Sequence, residues 1–340
     1  MNHPIGRLRR VPVGVLLALA AFVGALGSGF GSPAVAATTA PQPPGYPVTV
    51  QSCGQSVTFT APPTRAVSND INLTEDMLAL GLGSRLVGTF GVSDPMPAQY
   101  RAAFGRVRHV SSGYVKLEPL VALHPDFLFA GWNYGLTQGS NLTPANLTKY
   151  GIKTYVLEES CAHVQADKTT VSINDTYTDL RNLGAIFGIQ ARANALIASM
   201  SAKIATVQHR LAGTNPTPVF LYDSGEASPF TAPGLALPNA LLAQAGGTNV
   251  FADVKQSWTT VSWEQVVARQ PACILISDYG TPTAAQKQRF LEHSPMTQTL
   301  PAVQHHCFLA LSYDQLTPGP RNADAIRSLA RWLHPAAFRS

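Results

Sequence analysis

Charged side chains are scarce in this sequence. Only 13% of its 340 residues are Asp, Glu, Lys or Arg, while 45% are hydrophobic, a composition too apolar for a disordered chain. No Lys/Arg run with interleaved aromatics occurs, so no nucleic-acid partner is expected. Part of the net charge of +5 comes from arginines within the first ten residues. Enzyme signatures are missing as well. There is no G-x-S-x-G elbow around Ser224 in YDSGEAS, no HExxH and no P-loop. The glycines of GLGSRLVG follow a helical pattern and precede a strand, the reverse of a dinucleotide fingerprint. Asp223 and Glu226 are close in sequence, which alone does not make an acid/base pair. No catalytic residue and no cofactor are expected. Neither CxxC nor HxxxH is present, and the nine histidines are scattered. A bare zinc or manganese site would need several of them to converge in a cleft.

The N-terminus carries a targeting segment. Arg7, Arg9 and Arg10 precede the apolar stretch VPVGVLLALAAFVGALG, and Ala34-Val35-Ala36 gives a small-residue processing site. A signal peptide over residues 1–36, cleaved after Ala36, is expected. No other stretch approaches the ~18 consecutive apolar residues of a spanning helix. No cysteine follows closely to take a lipid anchor, so a periplasmic or extracellular protein is expected. Residues 37–47, ATTAPQPPGYP, form a Pro-rich flexible leader. An oxidising compartment favours disulfides among the four cysteines. Cys53 and Cys161 lie in loop-like contexts, QSCGQ and EESCAH, and are the favoured pair. Cys273 and Cys307 fall in strand-like ACILIS and HHCFLAL, as a second bridge or as two buried thiols.

From Arg65 onward, short apolar runs alternate with helical segments. RAVSN, RLVGTFG, DFLFAGW and KTYVLEE read as strands, with LTEDMLALGLG, KLEPLVALH and NLTPANLTKYGI as helices between them. Strict alternation means parallel β-α-β units. Residues 171–213 break the pattern with helical periodicity, and the alternation restarts with VFLYDSG, ACILISD and HHCFLALS. The predicted architecture is two Rossmann-like α/β lobes with parallel-rich sheets, joined by one long helix, with a ligand cleft between the lobes. The expected boundaries are 48–187 for the first lobe, 188–213 for the connecting helix and 214–340 for the second lobe. One segment occurs twice. VKLEPLVALHPDFLFA at 115–130 and VSWEQVVARQPACILI at 261–276 share Val, Glu, Val, Ala and Pro without a gap. Each is a helix followed by a strand, which marks the lobes as related.

RAVSNDINLTEDMLALGLGSRLVGT, LEPLVALHPDFLFA and AGGTNVFADVKQSWTTVSWEQVVARQP resemble the solute-binding proteins of ATP-driven importers. More narrowly, they are similar to the ferric-siderophore and cobalamin type, over roughly residues 48–335. The resemblance implies two lobes on one rigid helix and an ABC permease with ATPase subunits as partner. It also implies a glutamate at each lobe tip that docks on permease arginines, and Glu118 and Glu264 occupy the matching positions. Each also suits a helix N-terminus electrostatically, and Ser262 with Gln265 fits a capping box. Their occurrence as a pair at equivalent places favours docking.

Ligands of open parallel sheets sit beyond the carboxyl ends of the strands. Those ends offer Asn69, Asp70, Phe90, Trp132, Tyr134 and Glu158 in the first lobe. The second lobe offers Tyr222, Asp223, Phe230, Trp258, Tyr279 and Tyr313. Aromatic walls with a few polar groups suit a bulky, partly apolar ligand. Arg321 either pairs with anionic oxygens of a chelate or stabilises the loop before the last helix. The expected ligand is an iron chelate, a ferric siderophore first, with cobalamin, haem, a bare metal ion or an enzyme substrate as alternatives. A monomer is expected.

Overall fold

A computed structural model describes residues 43–339. The signal peptide, its cleavage after Ala36 and most of the leader lie outside the described residues.

Two parallel sheets organise the chain. In the first, the strands run in the order His109–Ser111, Leu86–Phe90, Ala66–Asn69, Phe127–Trp132, with Lys153–Val156 on the far side of Phe127–Trp132. The second runs Gly247–Asn249, Thr217–Tyr222, Cys273–Asp278, Phe308–Ser312. Helices cover both faces of such sheets, which is why FLFAG and CILIS are near-continuous apolar runs and almost wholly buried. In each sheet the strand order reverses once beside the first strand. These switch points lie between Ala66–Asn69 and Phe127–Trp132, and between Thr217–Tyr222 and Cys273–Asp278. They are where an open sheet leaves a crevice for a ligand.

The 21-residue helix Gln190–Arg210 leads from one sheet to the other. Gly188, at φ +68°, separates it from the helix Ile173–Ile186. The two helices approach so closely that a Cβ on Gly184 would come within 2.6 Å of the Ala193 Cβ. The last long helix, Asn322–Leu333, packs a stripe of Asn322, Ile326, Leu329 and Ala330 inward at helical spacing. One apolar cluster runs from Phe59 and Phe127 through Leu180 and Leu183 to Leu237, Leu316 and Ile326. Both sheets thus share a core beneath the cleft, and separate clusters fill their outer faces.

The repeat is structural. Its copies form helix Leu117–Val121 with strand Phe127–Trp132, and helix Trp263–Arg269 with strand Cys273–Asp278. Each helix leaves through a left-handed residue just before the shared proline, His124 at φ +46° and Gln270 at φ +45°. Disulfides join Cys53 to Cys161 and Cys273 to Cys307. The second follows from register: Ile274 pairs with Phe308 in adjacent parallel strands, which sets the two preceding cysteines side by side.

Candidate functional site

A cleft of about 540 Å³ opens at the carboxyl ends of the two sheets. On the first-lobe side it is lined by Asp70, Ile71, Gly91, Ser93, Asp94, Ser112, Gly113, Tyr114, Asn133, Tyr134 and His163. Asp223, Phe230, Trp258, Tyr279 and Tyr313 line the other side.

Asp70 follows the first strand and caps the helix Ile71–Ala79, its Oδ1 accepting from the Ile71 N–H at 2.7 Å. Its φ of +78° is a costly backbone state for a non-glycine residue. The neighbours hold it there. Its N–H donates to Phe90 O at 2.8 Å, and Gly91 lies so close that a Cβ there would meet Asp70 N at 2.9 Å. Oδ2 accepts from the Tyr313 hydroxyl at 3.1 Å, a bond that crosses from one lobe to the other. Burial pushes the Asp70 carboxyl up to about 6. Asp223 has the equivalent place after the first strand of the second sheet. Its Oδ2 accepts from Ser224 Oγ at 2.9 Å and from the Tyr279 hydroxyl at 2.6 Å.

The aromatic rings are ordered in pairs. Phe230 stacks on Trp258 with centroids 6.1 Å apart, and Tyr279 meets Tyr313 edge-on at 5.8 Å. Behind Tyr279 the buried Lys287 ammonium sits 4.2 Å from the ring centroid and donates to Ser277 O. His163 Nδ1 lies 3.1 Å from Asn133 Nδ2, and burial lowers the imidazole below its ordinary value. Among the described residues, no three His, Cys, Asp or Glu side chains gather as a metal site.

Of the residues expected at the cleft, Tyr134, Phe230, Trp258, Tyr279 and Tyr313 line it, with Asp70 and Asp223. Others lie elsewhere. Asn69 is fully buried and braces two loops, donating to Tyr134 O and accepting from the Val115 N–H. Phe90 packs in the outer core with Val67 and Leu128. Tyr222 packs against Trp263 and Phe290. Trp132 lines a different depression, beside Cys53 and Thr154. Glu158 pairs with Lys168 at 3.0 Å. Arg321 contacts Asp314 and lies 3.7 Å from Glu75, away from the cleft wall. Tyr114, Asn133 and His163 are cleft residues that the sequence reading missed. Tyr114 follows the short strand His109–Ser111, which the sequence pattern does not reveal.

Glu118 and Glu264 are both exposed, and each is the second residue of its helix. Neither lines the cleft. The Glu264 carboxyl lies below the usual range because of hydrogen bonding to Ser262 and to its own backbone N–H.

Beneath the cleft, helix Ile71–Ala79 meets the segment 313–322 of the second lobe. Asn72 Nδ2 donates to Pro318 O at 2.7 Å, and Thr176 Oγ1 to Asn322 Oδ1 at 3.2 Å. Burial, reinforced by Asp314, pushes Glu75 up to about 10, and burial raises Glu159 to about 7. Asp76 and Asp179 rise for the same first reason. A carboxyl raised in this way binds a proton in the folded state that the unfolded chain has released. Stability is therefore highest near the ordinary carboxylate range and falls as pH rises towards the folded values. Melting is expected several degrees higher at about pH 5.5 than at about pH 8.5, on the order of 2 kcal/mol. Calorimetry across that window checks it, and a flat or opposite trend would contradict the buried carboxylates.

Comparison with known proteins gives one consistent result. A family model described as periplasmic binding protein matches residues 67–312. A vitamin B12-binding protein of Photorhabdus laumondii is 30% identical over 218 residues, 64% of this chain and 72% of that one. A periplasmic binding protein of Veillonella parvula superposes with a TM-score of 0.75 at 27% identity, covering 85% of this chain and 97% of that one. The structure of an ABC-type Fe3+-hydroxamate transport system from Saccharomonospora viridis gives a TM-score of 0.74 at 24% identity, covering 85% of this chain and 99% of that one.

Proposed function

The chain belongs to the periplasmic binding protein family, substrate-binding components of ABC transporters rather than enzymes, and from that premise we propose that it captures a ferric siderophore or related iron chelate and delivers it to an ABC permease. The observation that carries this reading is the cleft itself. It lies at the switch points of two parallel sheets, has the volume of a small-molecule site, and is walled by paired aromatics together with carboxylates and other polar side chains. Such a wall suits a bulky chelate with an apolar outer surface. Glu118 and Glu264 are the proposed docking points on the permease, both exposed at matching places in the repeat. Beside Glu264, Met296 is exposed in a shallow groove with Trp263 and Val267, apolar surface that a permease loop could cover. Among the described residues no helix is long and apolar enough to cross a membrane. An exported monomer, processed after Ala36, completes the proposal.

A cobalamin ligand is the second reading, favoured by the relative at 30% identity. Both are tested by tryptophan fluorescence. Trp258 stands in the cleft, so a bound ferric chelate or corrinoid is expected to quench it, and Trp258→Phe is expected to remove most of that response. Silence from ferric siderophores, cobalamin and haem alike would sink the ligand class.

A further inference from the structure

The cleft wall is acidic and rich in hydrogen-bond acceptors. Asp70, Asp94 and Asp223 line it, and no Lys or Arg does so among the described residues. Two cations close to cleft residues are engaged elsewhere: Lys287 lies behind the Tyr279 ring and donates to Ser277 O, and Arg321 contacts Asp314. Two of the four cleft tyrosines spend their donors on the wall itself. Tyr313 directs its O–H at Asp70 and Tyr279 directs its own at Asp223, so each phenol oxygen offers lone pairs to a ligand. Burial lowers the His163 imidazole below its ordinary value, which disfavours its charged form. Aromatic faces attract cations through the negative potential above the ring.

We infer that the cleft selects a chelate of neutral or positive net charge bearing an ammonium or amide donor, as a ferric tris-hydroxamate does, and rejects anionic chelates. This rests on the chelate reading above. Three monoanionic hydroxamates neutralise a ferric ion, and a free amine on the scaffold then makes the complex cationic. Three dianionic catecholates leave it trianionic, and haem carries two propionates. An anion here would face three carboxylates in a partly desolvated cleft with no cation to pair with, whereas an ammonium would find carboxylates and π faces together.

The test is a calorimetric titration of the mature protein with four probes. They are a linear ferric tris-hydroxamate with a terminal ammonium, its N-acetylated counterpart, a ferric tris-catecholate and haem. The ammonium form is expected to bind about tenfold more tightly than the acetylated one, and the two anionic probes at least about a hundredfold more weakly. High salt should narrow the gap. Asp94→Asn, at a half-buried loop position, and Asp223→Asn are each expected to shrink the preference for the ammonium form. Equal or tighter binding of the tris-catecholate would overturn the charge inference and leave the chelate reading standing. A charge order unmoved by either variant would overturn it too. Binding of none of the four, nor of cobalamin, would overturn both.

Discussion

Replacing Glu118 and Glu264 together with alanine is expected to abolish permease-dependent uptake while leaving ligand affinity within about twofold. The expectation separates two roles that the same residues can play. A carboxylate in the first turn of a helix is favoured by the partial positive charge there, and Glu264 has a capping contact through Ser262. Loss of that role alone would cost each helix about 0.3–1 kcal/mol and leave uptake unchanged. Docking predicts the opposite pattern: near-normal melting, a normal titration and no transport. Each single substitution should give a partial defect that deepens with ionic strength, because exposed charge pairs are screened within about 10 Å at 0.1 M salt. Uptake of a labelled chelate by cells carrying only the variant measures this. If ligand affinity falls with uptake, both glutamates belong to the binding surface and docking is refuted.

The sheets were legible because parallel strands buried on both faces leave uninterrupted apolar runs, as in FLFAG and CILIS. The cleft was legible to within one residue. Asn69, Phe90 and Tyr222 end their strands and still point inward, while Asp70, Gly91 and Asp223 just after them reach the cleft. Side chains alternate across a strand, so a shift of one position exchanges wall for core. Tyr114 lies three residues past a strand of only three residues, none fully buried, so the strand end that points to it is hard to see in the sequence. The pairing of Cys273 with Cys307 required the register of two strands, which no local pattern supplies. LTEDMLALGLG reads as a helix, and its local pattern does not say that its carboxyls are buried. Glu75 and Asp76 are wholly buried, where the second lobe packs over that helix.

That closure makes Arg321→Ala the substitution expected to harm stability most. The sequence left Arg321 two roles, pairing with an anionic ligand or holding the loop before the last helix. In the structure its guanidinium contacts Asp314, whose side chain is 6% exposed, and lies 3.7 Å from the fully buried Glu75 of the other lobe. Glu75, pushed up to about 10, is protonated at neutral pH, so the pairing that matters is Arg321 with Asp314. Removing the guanidinium strands a nearly buried carboxylate beside Glu75 and Asp70. Breaking one side of a buried pair costs about 3–5 kcal/mol, whereas replacing both sides with apolar groups is often close to neutral. Arg321→Ala is therefore expected to lower stability by about 3 kcal/mol in urea unfolding, and Arg321→Met with Asp314→Leu to recover most of it. Arg321 is off the cleft wall, so ligand affinity measured well below the melting transition should change by less than about twofold. A protein of unchanged stability that has lost its ligand would restore the other role, and would place a cation in a cleft whose described lining has no Lys or Arg.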